Sequence, residues 1–197
     1  FDLTNGPRPK ATSHMDHLIN ELPFFSAEHR TLAQSIAKFA ELEVEPHASD
    51  ESDVEDQTRK YVQALARAGA LEYAVAKGSE LNLRAVCLIR EALAYSSALA
   101  DLAFVMQGLG TYAISRAATE HVGEFWLGRA AQGKAIAAFA VTEPEAGSDV
   151  ASIQTTAQHD GDTYVINGRK RFISNVGIAD FYTVFARTGT REGGRAA

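Results

Sequence analysis

The residues Thr142-Glu143-Pro144-Glu145-Ala146-Gly147-Ser148-Asp149 break an apolar run that reads as a short strand from Ala135 to Val141. Pro144 has no N–H and cannot continue a sheet ladder. Gly147 is expected at a φ that a Cβ would forbid, so that the backbone can approach a ligand closely. Thr142 and Ser148 place a hydroxyl at each end of the break. A turn of this composition can hold a polar, phosphorylated ligand against its N–H groups. Glu143 and Glu145 look like a carboxylate pair, but nothing places a second acid or base beside them, and they are given no acid–base role. Asp149 is read as closing the loop through an Asx-type bond. Further on, Phe172-Ile173-Ser174 combines an aromatic ring, an aliphatic residue and a hydroxyl. Taken singly, Phe139 and Phe172 read as core residues of a β structure, and Ser174-Asn175 as a strand-ending turn.

Other chemistries are excluded by pattern. The histidines are scattered, and although His14 and His17 stand at i, i+3, no third ligand follows, so no metal site is expected. Cys87 is the only cysteine, so no intrachain disulfide forms, and a reducing compartment fits. Gly108-Leu109-Gly110-Thr111-Tyr112-Ala113 fits a dinucleotide-binding pattern, but a long helix precedes it where a strand is needed. The formal net charge of −6 argues against a nucleic-acid surface. Arg169, Lys170 and Arg171 are read as the solvated face of a strand, near a phosphate at most. No run approaches the roughly 20 apolar residues of a membrane span. Phe1 to Lys10 has no signal-peptide apolar region.

The elements that must position these residues follow in two blocks. Residues 1–25 read as an amino-terminal arm with a short helix from Met15 to Glu21. Ser26 caps the next helix, whose stripe is Leu32, Ile36, Phe39 and Ala40, and Pro46 ends it. Val54, Tyr61, Leu65 and Ala68 give another stripe, stopped by Gly69. Leu71 to Gly78 reads as a connector with room for extended structure. A long helix from Leu81 runs to Phe104 and is interrupted by Gly108 and Gly110, and a shorter one follows from Thr111 to Ala117. Thr119 caps a last helix ending at Gly133, in which Trp126 is a packing residue. After Lys134 the period changes to alternation. Ser152–Gln158, Thr163–Ile166, Arg169–Ser174 and Phe181–Arg187 are predicted as antiparallel strands. Asp160-Gly161-Asp162 and Asn167-Gly168 are turn signals, the second of the hairpin type. Thr188 to Ala197 reads as a loop. The chain is thus α+β, with a helical domain over 26–134 and an incomplete β domain over 135–197.

The pair TEPEAGSD and INGRKRFISN, in this order and with an Asn-Gly turn between them, resembles the middle domain of the acyl-CoA dehydrogenases. The helical block resembles that family's amino-terminal domain. The resemblance implies bound FAD. Its isoalloxazine would lie against Phe139, Val141 and Thr142, and its pyrophosphate against Gly147 and Ser148, with Ser148 also near the acyl-CoA. Phe172 and Ile173 would pack on the flavin, with Ser174 reaching its reactive nitrogen. Phe172 stands where the family often has Trp. The implied activity is α,β-dehydrogenation of an acyl-CoA thioester with an electron-transfer flavoprotein as acceptor, in a homodimer or homotetramer in the cytoplasm or mitochondrial matrix. The family's catalytic carboxylate belongs to a third, helical domain, so no catalytic residue is named here, and residues 1–197 alone are expected to be inactive. An acyl-CoA oxidase, a nitroalkane oxidase and a non-catalytic flavin-fold binding or assembly protein are the rival readings. Val75-Ala76-Lys77-Gly78-Ser79 is shorter than the family's Pro- and Gly-rich turn, which leaves acyl-chain preference open.

Overall fold

A computed structural model describes residues 18–49, 52–76, 78 and 80–189. Most of the expected arm, with His14 and His17, and the carboxy-terminal residues from Thr190 lie outside the described residues. Seven α-helices come first among those described: α1 (Leu18–Glu21), α2 (Ala27–Phe39), α3 (Val54–Arg67), α4 (Leu71–Ala74), α5 (Leu83–Ser96), α6 (Ala98–Ala117) and α7 (Glu120–Ala131). Four short strands follow: β1 (Ala137–Ala140), β2 (Thr156–Asp160), β3 (Thr163–Asn167) and β4 (Phe181–Val184). No helix among the described residues is long and apolar enough to cross a membrane.

The helices form where their caps and stripes dictate. Ser26 precedes α2, and His29 Nδ1 accepts its backbone N–H at 3.3 Å while lying 2.6 Å from its hydroxyl. His29 Nε2 lies 3.1 Å from Asn82 Oδ1, which also accepts Ala85 N–H at the start of α5. One buried imidazole therefore joins the caps of two helices. After Phe39 the chain loosens into a π-turn (Ala40–Val44) and then a 3₁₀ turn (Glu45–His47), in which Pro46 occupies a first-turn position that needs no N–H. The helical core gathers Val62, Leu65, Leu71, Ile89, Leu93 and Phe104, all buried.

The connector from Leu71 begins as the one-turn helix α4, and Val75 after it is extended. One reading of the helical block is corrected. The break in the long helix falls at Ser97, whose hydroxyl accepts Ala100 N–H to start α6, and α6 continues unbroken through Gly108 and Gly110 to Ala117. The two glycines are contact points. A Cβ at Gly110 would lie 2.6 Å from Ala137 Cβ, and one at Gly108 would lie 3.2 Å from the Ala74 carbonyl oxygen. They let α6 pack against the first strand and against α4 at backbone distance.

The β region is corrected further. β1 and β4 pair in parallel, Ala137 opposite Phe181 through Ala140 opposite Val184, not antiparallel. β2 and β3 form an antiparallel hairpin, closed at Asp160-Gly161-Asp162 with Gly161 at φ 59°. A parallel bridge between Thr156 and Arg187 links the two pairs. Arg169–Ser174 is not a strand, so Asn167-Gly168 closes no hairpin.

Gln107 fixes the seam between the helices and β1. It is fully buried, donates to the carbonyls of Ala130 at 3.2 Å and Ala135 at 2.8 Å, and accepts Ala137 N–H at 2.8 Å. The amide bonds the carbonyl of one residue and the N–H of the second residue after it, which is how a parallel neighbour would pair with Ile136. Replacing Gln107 by Leu strips the Ala135 carbonyl and the Ala137 N–H of this partner, while the Ala130 carbonyl keeps the Gly133 N–H at 3.1 Å. The expected loss is at least about 2 kcal/mol of unfolding free energy, read as a lower denaturant midpoint.

Candidate functional site

The first motif is a tight turn. Glu143 N–H donates to the Ala146 carbonyl at 2.9 Å and Ala146 N–H returns to Glu143 at 3.3 Å, with Pro144 and Glu145 at the exposed tip. Asp149 Oδ2 accepts the Ser152 hydroxyl at 2.5 Å, and its carbonyl accepts Ser152 N–H, closing a 3₁₀ turn (Val150–Ser152). Asp149 closes the loop, but its side chain bonds the Ser152 hydroxyl and not a backbone N–H, so the expected Asx-type bond is replaced. Gly147 does not have the left-handed φ anticipated for it; what its missing side chain provides is open space, since a Cβ there would meet nothing within 4 Å.

Glu143 is the anchor of this turn. It is 6% exposed, and its carboxylate accepts Gln154 N–H at 2.5 Å, Thr155 N–H at 2.9 Å, the Thr155 hydroxyl at 2.5 Å and Lys170 Nζ at 2.8 Å. Burial pushes its pKa up, but the hydrogen bonds from Lys170, Thr155 and Gln154 outweigh it and hold the group at about 2. It stays ionised and fully bonded, and so it is not a proton-transfer group. The reading of Lys170 as part of a solvated face is overturned. Its side chain is only 12% exposed, and its ammonium also donates to the Val141 carbonyl at 2.9 Å.

Residues 170–175 run beside β1 without becoming a strand. Arg171 N–H donates to the Thr142 carbonyl at 2.8 Å, and Asn175 Nδ2 donates to the Ala137 carbonyl at 2.9 Å. Phe172 and Asn175 have φ of 57° and 66°, which takes the backbone out of the extended region. Asn adopts this conformation readily, whereas Phe does not.

The positions of the expected site residues follow from this framework. Thr142 is bonded directly to the second motif through Arg171. Phe139 packs edge-on to Phe185 at 5.3 Å between ring centroids. Val141 and Thr142 are half-buried, as are Ile173 and Ser174, while Gly147 and Ser148 are exposed. Phe172 is 79% exposed, and the Arg171 guanidinium carbon stands 4.5 Å from its ring centre. Among the described residues, the hydroxyls of Thr142, Ser148 and Ser174 and the N–H groups of Gly147 and Ser148 make no hydrogen bond. Trp126 packs at 4.7 Å from Phe181, a core contact as expected.

Beside this framework lies an apolar cavity of about 610 Å³ whose lining includes Leu81, Val86, Phe104, Leu109, Tyr112 and Phe139. Its walls come from α4, α5, α6 and the end of β1. Three positioning residues escaped sequence reasoning. Gln107 carried a signal, a lone amide inside the apolar run Phe104 to Leu109. Lys170 and Asn175 carried none, because only the tertiary fold brings them to β1.

Comparison with known proteins places this framework. Residues 26–134 match the family model described as acyl-CoA dehydrogenase, N-terminal domain, and residues 138–197 match acyl-CoA dehydrogenase, middle domain. A 3-(aryl)acrylate reductase of Clostridium sporogenes is 33% identical over 175 residues, covering 86% of this chain and 46% of the relative. Glutaryl-CoA dehydrogenase from Mycobacterium smegmatis superposes with a TM-score of 0.76 at 28% identity, covering 88% of this chain and 46% of that one. An acyl-CoA dehydrogenase complexed with FAD from Bacillus anthracis gives 0.68 at 29% identity, covering 83% and 29%. The chain spans less than half the length of these proteins.

The Glu143–Lys170 pair generates a pH prediction. The folded pKa of about 2 lies below the ordinary 4.5, so the stabilisation is complete above 4.5 and is lost as pH falls through about 2. Chemical denaturation across that window is expected to show a steeper loss of stability for the native chain than for Glu143→Gln. Lys170→Met alone, which strands a buried carboxylate, is expected to cost about 3–5 kcal/mol at neutral pH. The double variant Glu143→Gln with Lys170→Met is expected to cost less than Lys170→Met alone.

Proposed function

The chain belongs to the acyl-CoA dehydrogenase family, and we propose that the protein it forms is an FAD-dependent enzyme that oxidises the α,β bond of an acyl-CoA thioester. The observation that carries this reading is the double role of Phe139. It lies on the strand that leads into the Thr142–Asp149 turn, and it also lines the apolar cavity. A flavin held at the turn and an acyl chain held in the cavity would meet at that residue.

The residues present fit the cofactor. The turn offers unpaired donors at Gly147 and Ser148 and open space where a Cβ would stand, which suits a pyrophosphate. Thr142 and Ser174 supply free hydroxyls at the strand end, suited to the polar edge of the ring system. Phe172 offers an exposed ring, one face of which carries the Arg171 guanidinium, and Val141 and Ile173 are half-buried apolar neighbours. When bound, FAD supplies a hydride acceptor; the protein supplies placement, a dry environment and fixed dipoles.

Each part of the chain has a share in the chemistry. The cavity draws the acyl chain out of water and fixes its direction. The bonds from Lys170, Arg171 and Asn175 to β1 and the two residues after it hold Phe172-Ile173-Ser174 against Thr142, so the free hydroxyls keep fixed positions. Donors fixed in advance stabilise developing charge without reorganising at the moment of reaction. Ser148 is assigned to both the cofactor and the acyl-CoA. Glu143 is committed to its buried bonds and is not the base for the α-proton; the resemblance assigns that role to a carboxylate of the family's third domain. The acceptor is an electron-transfer flavoprotein, the assembly a homodimer or homotetramer, and the setting a reducing compartment such as the cytoplasm.

The full-length protein is expected to purify yellow with a flavin absorbance band and to oxidise acyl-CoA in the presence of an artificial electron acceptor. A folded, colourless protein that takes up no FAD would sink the proposal. Ser148→Glu puts a negative charge beside the proposed pyrophosphate and is expected to weaken FAD binding about tenfold or more in a fluorescence titration. An unchanged affinity would remove Ser148 from the site.

A further inference from the structure

We propose that a concave basic surface between α3 and the end of α7 is a second ligand site, one that takes the phosphate or polyphosphate group of an anion. It is a cavity of about 630 Å³ lined by Arg59, Arg67, Arg129 and Lys134, with Gln63 and Gln132 between them. It shares no residue with the apolar cavity or with the two flavin motifs. Its existence is independent of the proposed function.

The site has two banks. Arg59, Gln63 and Arg67 follow one another at four-residue steps along α3 and so share one face. Opposite them, Arg129 lies in the last turn of α7 and Lys134 follows the turn after it. Gly133 holds the banks together at φ +66°: a Cβ there would lie 2.8 Å from Ala66 Cβ and 3.1 Å from the Val62 carbonyl oxygen. Only glycine lets this turn press so closely on α3.

The cations are poorly neutralised by the protein itself. Asp180 is the one carboxylate in the lining, and its Oδ2 already accepts Ile136 N–H at 2.7 Å. The side chains of Arg67 and Lys134 make no ion pair or hydrogen bond among the described residues. Arg59 is steadied by one bond to the Ile178 carbonyl at 3.4 Å, and Arg129 by the Phe125 ring at 5.1 Å, which leaves other donors of each guanidinium open. Four cations thus face one carboxylate in a chain whose formal net charge is −6.

Helix dipoles explain part of this. Arg67 and Arg129 sit in last turns, where a cation meets the carbonyl end of a helix favourably. That account does not reach Arg59, in the middle of α3, or Lys134, beyond α7. Donors on two facing banks need an acceptor with oxygens in several directions. A tetrahedral phosphate has them and a planar carboxylate does not, and guanidinium forks and amides suit it.

The test is calorimetric titration of the full-length protein, saturated with FAD, with inorganic pyrophosphate at about physiological ionic strength. The expected result is one saturable site that excess FAD does not displace and that Arg67→Gln with Lys134→Gln weakens about tenfold or more. Both side chains are exposed, so the double variant is expected to keep the native melting temperature. Absence of saturable binding, an unchanged affinity in the double variant, or displacement by FAD would each overturn the proposal. Sedimentation with phosphatidylcholine vesicles containing phosphatidic acid then separates two sources of the phosphate. Capture of the native protein but not the double variant assigns it to a lipid headgroup, and retained pyrophosphate binding without capture assigns it to a soluble ligand.

Discussion

The buried ion pair between Glu143 and Lys170 is the constraint on which the site's geometry rests. Removing a carboxylate and an ammonium from water is costly, and attraction alone does not offset it reliably. Here the carboxylate is also bonded by two backbone N–H groups and a hydroxyl, so its charge is distributed over fixed donors. The turn from Glu143 to Ala146 cannot move without abandoning the chain at Gln154 and Thr155. Residues 170–175 cannot move without abandoning the turn. Two motifs far apart in sequence are thereby held as one rigid unit, with Thr142 between them.

The same unit explains how so short a strand as β1 can be a dependable floor. One edge of β1 is paired by β4. The other is bonded by side chains: Gln107 at Ala135 and Ala137, Asn175 at Ala137, and Lys170 at Val141. A helix and an irregular segment thus perform the work of a third strand. The arrangement ties the helical region, through α6, to the place where the residues proposed to face the flavin begin. The close backbone approach at Gly110 and the bond from the Thr183 hydroxyl to its carbonyl at 2.6 Å complete the seam.

What was legible in the sequence follows from the range of the forces involved. The helices were legible because stripes and caps such as Ser26 act within a few residues. The motif turn was legible because Pro144 and Gly147 punctuate an apolar run. Gly108 and Gly110 misled because glycine lowers helix propensity locally, while here close packing against Ala74 and Ala137 decides the matter. Arg169 to Ser174 alternates like a strand, yet Lys170 and Asn175 bond to β1 through their side chains and the backbone turns at Phe172. The parallel sense of β1 and β4 depends on a connection of about forty residues, which no local pattern records. Asn167-Gly168 is a hairpin signal only if a strand follows, and none does.

The two kinds of strand edge in this molecule differ in their exposure to self-association. A free edge offers a row of N–H and C=O groups on which another chain can build a sheet. β1 offers no such row between Ala135 and Ala137, because amide groups of side chains already fill it. β3 is the opposite case. It reads Thr-Tyr-Val-Ile-Asn, pairs only with β2 among the described residues, and leaves Tyr164, Val165 and Ile166 more than half exposed at 60%, 53% and 55%. Its composition is that of a segment prone to intermolecular β-pairing. Any state of the protein that leaves this hairpin uncovered will therefore recruit other chains at β3, while the strand beneath the proposed flavin site is shielded from the same fate.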